Sequence, residues 1–234
     1  MNIEETLLKC KEFHFEPLPS YMNLITEFSN NDLKKPISDL RKYKLIQYKD
    51  LEKGIWILLG LYNYADNGIK QSKWITIEVG SSNDIISEIR ECINDMNSIE
   101  GRITKGAHFY PDSELFTYPT YMTKECCKYR MIKETFSQFQ WYQINPSEYL
   151  RNISSSISEN IPLLFDGIQF NIINFIEAHI AFTYKPLTWN PAPQTKGNME
   201  AMLIRIFQDH INEKLIIENN EILFFHNNIK SLSS

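Results

Sequence analysis

Cysteine is scarce in this sequence, and its spacing excludes one class of site. The 234 residues contain four cysteines, with no Cys-x-x-Cys pair and no histidine at zinc-finger spacing. Structural zinc sites need such closely spaced ligands, so we expect no zinc finger. The adjacent pair Cys126 and Cys127 is interpreted as reduced and structural.

Long apolar runs and excess positive charge are also missing. No stretch approaches the roughly 20 apolar residues that a membrane-spanning helix requires, and the acidic N-terminus has no signal-peptide core. We therefore expect a cytoplasmic protein. The formal net charge is −5, which argues against a strong general affinity for polyanions. Any nucleic-acid site must be local.

What the chain does contain is enough apolar and aromatic material for a folded core. Hydrophobic residues make up 43% of the sequence and aromatic residues 13%. A disordered chain has far fewer. The length fits one domain with a sizeable core.

Two apolar, β-branched runs at 55–59 and 74–79 predict a pair of strands. The Asn67-Gly68 step between them is a strong hairpin signal. A second hairpin is predicted from 215–217 and 222–225, and 136–144 is predicted to be a further strand because aromatic residues favour strands.

Helices are predicted where apolar residues recur every three or four positions. One follows an N-cap at Asn83 or Asp84, and another covers 171–182. Residues 1–45 are predicted to form a helical extension, because the apolar residues at 21, 24, 25 and 28 have helical spacing.

Two segments a hundred residues apart resemble the GIY-YIG nuclease family. The first contains Gly54-Ile55-Trp56 and, after the hairpin, Val79-Gly80-Ser81-Ser82-Asn83. The second runs from Phe175-Ile176-Glu177 through Lys185-Pro186 to Asn190. A strand beginning Gly-Ile-aromatic, a second strand ending in this turn, a helix, and a later helical Glu before an Asn are the skeleton of that family, in the same order.

The resemblance implies an α/β (α+β) fold with a small, mostly antiparallel sheet flanked by helices. It implies a core over 46–195 with an insertion at about 101–170. The residue pattern separately predicts a C-terminal helix and hairpin over 196–234. The resemblance also implies a DNA endonuclease that hydrolyses phosphodiesters with magnesium bound at Glu177.

Most of the family's catalytic side chains are replaced. The two tyrosine positions hold Trp56 and Glu78, and the arginine position, eight residues after Gly80, holds Glu88. Indole cannot act as a base, and a carboxylate repels a phosphate. Arg90 is only two residues further along, but this places it about 200° around the helix axis from position 88, on the opposite side of the helix. The family's metal-binding Glu and its Asn are retained as Glu177 and Asn190.

Other residues could replace the missing groups. Glu78, Glu88 and Glu177 could form a carboxylate cluster for magnesium. The hairpin residues Tyr62, Tyr64 or Lys73 could supply a base or a cation, or could be plain exposed residues. Among the five histidines, His108 is the best general-base candidate outside the motif.

Basic residues concentrate away from the motif. Lys124, Lys128, Arg130 and Lys133 are interleaved with Tyr121 and Tyr129, a pattern that can hold a phosphate backbone while aromatic rings stack on bases. Three functions remain open: a divergent endonuclease, a catalytically inert protein of the same fold that binds nucleic acid or a protein partner, and a small-molecule enzyme on another α/β fold.

Overall fold

The residues that the structure describes form an α+β fold, with helices packed around two four-stranded sheets. The structure is a computed structural model, and it describes residues 3–14, 17–34, 54–97, 128–154, 157–158, 160–187 and 199–226. The predicted fold class, a mostly antiparallel sheet flanked by helices, is confirmed.

The strands fall into two groups along the chain. Those of the first sheet are β1 (Met22–Ser29), β2 (Gly54–Asp66), β3 (Ile69–Ser82) and β4 (Gln138–Ile144). Those of the second sheet are β5 (Leu163–Phe165), β6 (Ile168–Phe170), β7 (Glu213–Glu218) and β8 (Glu221–His226).

The helices cover the faces of the first sheet and connect it to the second. They are α1 (Ile3–Lys9), α2 (Ile85–Asn97), α3 (Lys128–Thr135), α4 (Pro146–Ile153), α5 (Ile172–Tyr184) and α6 (Met199–Asp209), with a short 3-10 helix at Asp32–Lys34.

The first sheet has the strand order β1-β4-β2-β3 and is antiparallel throughout. The long β2–β3 hairpin turns at Asn67 and Gly68, which both have positive φ (49° and 80°) as a type I′ turn requires. The predicted hairpin is therefore confirmed. β4 lies between β1 and β2, so this part of the expected insertion belongs to the core of the sheet.

The prediction of helix in the N-terminal segment is wrong at β1. Residues 22–29 form a strand that pairs with β4, and the register shifts between Leu24 and Thr26. This irregularity buries Met22, Ile25 and Phe28, three residues apart. A spacing of three resembles one face of a helix, which is why the sequence pattern misled.

Each face of the first sheet has its own apolar cluster. Alternate residues of β2 divide between the two faces, because side chains alternate along a strand. Trp56 and Leu58 pack with α2, α3 and α1, whereas Ile55, Ile57 and Leu59 pack with α4, α5, α6 and the second sheet.

The second sheet has the strand order β6-β5-β8-β7. β7 and β8 form the predicted C-terminal hairpin, turning at Asn219 and Asn220. Among the described residues, no helix is long and apolar enough to cross a membrane.

Candidate functional site

The two motif glycines lie on neighbouring antiparallel strands, as predicted. In the register of β2 and β3, Gly54 is opposite Ser82 and Trp56 is opposite Gly80. A Cβ atom on Gly80 would lie 2.7 Å from the indole ring of Trp56. Gly80 is thus needed because the Trp56 ring occupies the space above it.

Trp56 and Glu78, the residues that the resemblance aligns with two tyrosines, are both buried. Trp56 is 3% exposed and belongs to the apolar cluster beneath α2. Glu78 is 7% exposed and lies opposite Leu58. Cross-strand partners share a face, so Glu78 lies on the same face as Trp56 and Leu58. Position 56 thus holds a large, enclosed indole, which has no hydroxyl group.

Helix α2 begins with the predicted cap. The Asp84 carboxylate accepts hydrogen bonds from the Ser87 backbone N–H (2.9 Å) and hydroxyl (2.6 Å). These bonds to Ser87 lower the pKa of Asp84. Ile89 is fully buried, Glu88 is half-buried and Arg90 is exposed. The exposed position of Arg90 agrees with the helical phase expected from the sequence.

Glu177 lies on α5, which packs against the opposite face of the sheet from Trp56. The buried apolar residues of α5 belong to the cluster that contains Ile57 and Val79. Glu177 itself is 7% exposed. The helix that carries Glu177 therefore does not share a face with Trp56 and Glu78.

The three carboxylates proposed as a metal cluster do not form one. Within the ranges that the structure describes, no group of three or more His, Cys, Asp or Glu side chains is placed to hold a metal ion. Glu78, Glu88 and Glu177 all lie in those ranges. A magnesium ion held by Glu177 alone stays a prediction of the family resemblance.

His179 is enclosed by aromatic rings and has a structural role. Its Nδ1 lies 2.8 Å from the hydroxyl of Tyr149, and its ring contacts Phe175 and Phe207. Burial lowers the pKa of His179 to about 4 and raises the pKa of Tyr149 well above its usual value. Neither group is poised for proton transfer at neutral pH.

The hairpin residues have different roles from one another. Lys73 is buried, and its Nζ donates hydrogen bonds to the carbonyl oxygens of Leu8 (2.8 Å) and Cys10 (3.0 Å) at the end of α1. Desolvation lowers its pKa. Tyr62 and Tyr64 are half-buried, and their rings stack in parallel with centroids 5.7 Å apart. Lys73 is thus neither an exposed residue nor a free catalytic cation.

The residues that follow the basic helix α3 contact this part of the hairpin. The Ser137 N–H, two residues beyond α3, donates to the Leu61 carbonyl (3.0 Å), and the Tyr62 ring contacts Phe136 edge to face. Lys128, Arg130 and Lys133 are on α3. Asn190, His108 and Lys124 lie outside the described residues.

An open groove borders the motif turn. It has a volume of about 340 Å³ and is lined by Gly54, the turn 81–83, Pro146 and Ile173. The described side chains of its lining include no carboxylate, histidine or lysine that could act as a general acid or base.

Searches of protein-family models, curated proteins and solved structures found no match to this chain. The resemblance to GIY-YIG nucleases stays a hypothesis carried by the motifs.

Proposed function

We propose that this protein is a catalytically inert α+β protein, with a GIY-YIG-like core, that binds single-stranded nucleic acid beside the β2–β3 hairpin. The observation that carries the inert part is the burial of Trp56 and Glu78 on one face of the sheet while the Glu177 helix packs on the other. A metal-dependent hydrolase needs its base, cation and metal ligand around one accessible phosphate.

The binding part is supported by the tyrosine surface, which we define as Tyr62, Tyr64 and helix α3. The parallel Tyr62 and Tyr64 rings are only half-buried, and half-buried aromatic rings can stack on bases. Helix α3 carries three basic residues and one acidic one. Helix positions 130 and 133, which hold Arg130 and Lys133, are roughly 60° apart around the helix axis.

Fluorescence anisotropy with a labelled 12-nucleotide single strand tests the proposal. Tyr64→Ala should weaken binding by about 5- to 150-fold, because one stacked base contributes about 1–3 kcal/mol. Tyr64→Phe keeps the ring and should bind almost as the parent does. Arg130→Gln should reduce the slope of log affinity against log salt by roughly 0.7.

Lys214→Gln provides the matched control, because Lys214 is an exposed lysine on the second sheet. It should leave the salt slope unchanged. Absence of binding at low salt, or equal binding by Tyr64→Ala and the parent, would refute the tyrosine surface.

The endonuclease alternative is tested separately with supercoiled plasmid and magnesium. We expect no cleavage, and no difference between the parent and Glu177→Ala. Magnesium-dependent cutting that Glu177→Ala abolishes would establish the endonuclease function instead. Both results are interpretable only if circular dichroism shows that the variant is folded.

A further inference from the structure

The second sheet contains a gap between β5 and β8. These strands pair in parallel at a single position, Leu164 with Glu221, whereas β8 pairs with β7 along its whole length. The β5 side stops early because Asp166 and Gly167, both with positive φ, turn the chain back into β6. Beyond Glu221, this edge of β8 has no neighbouring strand within the described ranges.

The hairpin register tells which backbone groups face the gap. Glu218 and Glu221 flank the two-residue turn, so they form a hydrogen-bonded pair and direct their backbone groups at each other. The backbone N–H and C=O groups of successive residues point to opposite sides of a strand. The backbone groups of Ile222 and Phe224 therefore point away from β7 and toward β5. The carbonyl of Ile222 and the N–H of Phe224 would form the next rung if β5 continued.

A cleft of about 570 Å³ occupies this position. Phe165, Asp166 and Gly167 line one side, and 222–224 line the other. His210 stacks on Phe224 with the ring centroids 4.1 Å apart, and the Phe165 ring stands perpendicular to Phe224 at 5.7 Å. The cleft thus combines an open strand edge with aromatic walls.

The charge of the cleft is negative. Its lining contains the exposed carboxylates of Asp166 and Glu221 and no lysine or arginine. A further carboxylate, that of Glu213, lies 3.2 Å from Nδ1 of His210. A basic ligand complements this lining, and an acidic one does not.

We propose that this cleft binds an extended, basic segment of a partner protein, which pairs with β8 as an added strand. Strand addition uses main-chain hydrogen bonds for affinity and alternate side chains for specificity. The open edge of β8 supplies the main-chain hydrogen bonds, and the carboxylates and aromatic side chains of the cleft supply the specificity. The cleft uses none of the residues of the tyrosine surface, so the proposal is independent of nucleic-acid binding.

A labelled, end-blocked pentapeptide of alternating valine and lysine is the probe. It should bind saturably and shift the NMR amide signals of Ile222, Leu223 and Phe224. The same peptide with glutamate for lysine should bind at least about tenfold more weakly. N-methylation of the backbone along one edge of the peptide should weaken binding at least about fivefold, because two hydrogen bonds are lost, whereas the other edge should tolerate it.

Neutralising the lining carboxylates tests the acidic contribution. Asp166→Asn with Glu221→Gln should weaken binding of the lysine peptide by about 2- to 30-fold, as for two exposed ion pairs. Asp66→Asn, a carboxylate change at the tip of the β2–β3 hairpin, is the matched control and should have no effect. Equal binding of the lysine and glutamate peptides would overturn the proposal, as would indifference to N-methylation on both edges. Self-association of the chain through β8, seen by sedimentation together with the same amide shifts, would also overturn it.

Discussion

At the scale of single residues, the core restricts side chains at two positions in ways that can be measured. Gly80 leaves room for the indole of Trp56, and His179 is kept neutral by the rings around it. A glycine in a motif and a histidine near a candidate metal ligand both suggest a functional role, but here packing explains why each residue is present.

Gly80→Ala should destabilise the protein. The added methyl group would lie 2.7 Å from the Trp56 ring, and overpacking of this kind costs about 1–3 kcal/mol. Urea unfolding measures the change in the free energy of unfolding. In a Trp56→Leu background the cost should shrink, because the clashing ring is gone. An equal cost in both backgrounds would show that the ring is not the cause.

The stability of the protein should fall on mild acidification because of His179. The unfolded chain takes up this proton near pH 6.5, but the folded protein does so only near pH 4, so protons favour unfolding between these values. Above about pH 6.5, His179 is neutral in both states and does not reduce the free energy of unfolding. As the pH falls from there toward 4, the free energy of unfolding decreases by roughly 1.4 kcal/mol per pH unit.

His179→Phe removes this titration while keeping a ring in the aromatic cluster. Its free energy of unfolding, measured in urea from pH 7.5 to 4.5, should depend less on pH than that of the parent. His14→Gln, a change at an exposed histidine, is the control. Parallel pH profiles for the parent and His179→Phe would contradict the assignment.

At the scale of elements, Lys73 connects the first helix to the central sheet. α1 has seven residues, too short to be stable alone, and Lys73 bonds to the carbonyl oxygens at its end. Phe13, just beyond, donates its N–H to the Trp74 carbonyl at 2.9 Å. The chain after α1 is thus attached to β3 by a side chain and by the backbone.

Lys73→Met should loosen this attachment. The variant keeps the apolar stem but leaves two carbonyl groups without their donor, which costs about 1–3 kcal/mol. Hydrogen exchange of the Phe13 amide should accelerate more than that of amides in β4. Lys70→Met, at an exposed lysine on the same strand, should leave the exchange unchanged. Unaltered protection in Lys73→Met would show that the ammonium group is dispensable.

At the scale of the whole molecule, the two faces of the first sheet decide whether residues 56, 78 and 177 can meet in one site. Trp56 and Glu78 lie on one face, and the helix that carries Glu177 packs on the other. Replacing side chains changes their chemistry but not the face on which they lie.

The combined substitutions Trp56→Tyr, Glu78→Tyr and Glu88→Arg should therefore produce no magnesium-dependent cleavage of plasmid DNA. The test requires that the variant folds, which circular dichroism and urea unfolding establish. Cleavage by the triple variant that disappears on adding Glu177→Ala would show that these residues converge after all, and would remove the argument from the two faces of the sheet on which the inert function rests.

The sequence alone determined the features that depend on a few neighbouring residues. The Asn67-Gly68 turn, a cap at one of the two positions proposed for it, the amphipathic helix α2 and the apolar helix α5 were predicted correctly, because turn, cap and periodicity signals act within about one turn of chain. The short apolar run at 55–59, which has no polar face for a surface helix, and the β-branched and aromatic residues at 74–79 likewise predicted strands correctly.

Only the tertiary structure decided which residues meet. The irregular pairing of β1 with β4 buries every third residue of β1, a spacing that is also typical of a helix. Nothing in the sequence near β1 indicates that β4 is its partner strand. The burial of Trp56, the placement of α5 on the opposite face and the gap beside β8 all depend on contacts between segments far apart in the chain. Such contacts depend on how whole elements pack together in the core. Spacing along the sequence therefore predicts the individual strands and helices that carry the motif residues, but not whether those residues lie close together.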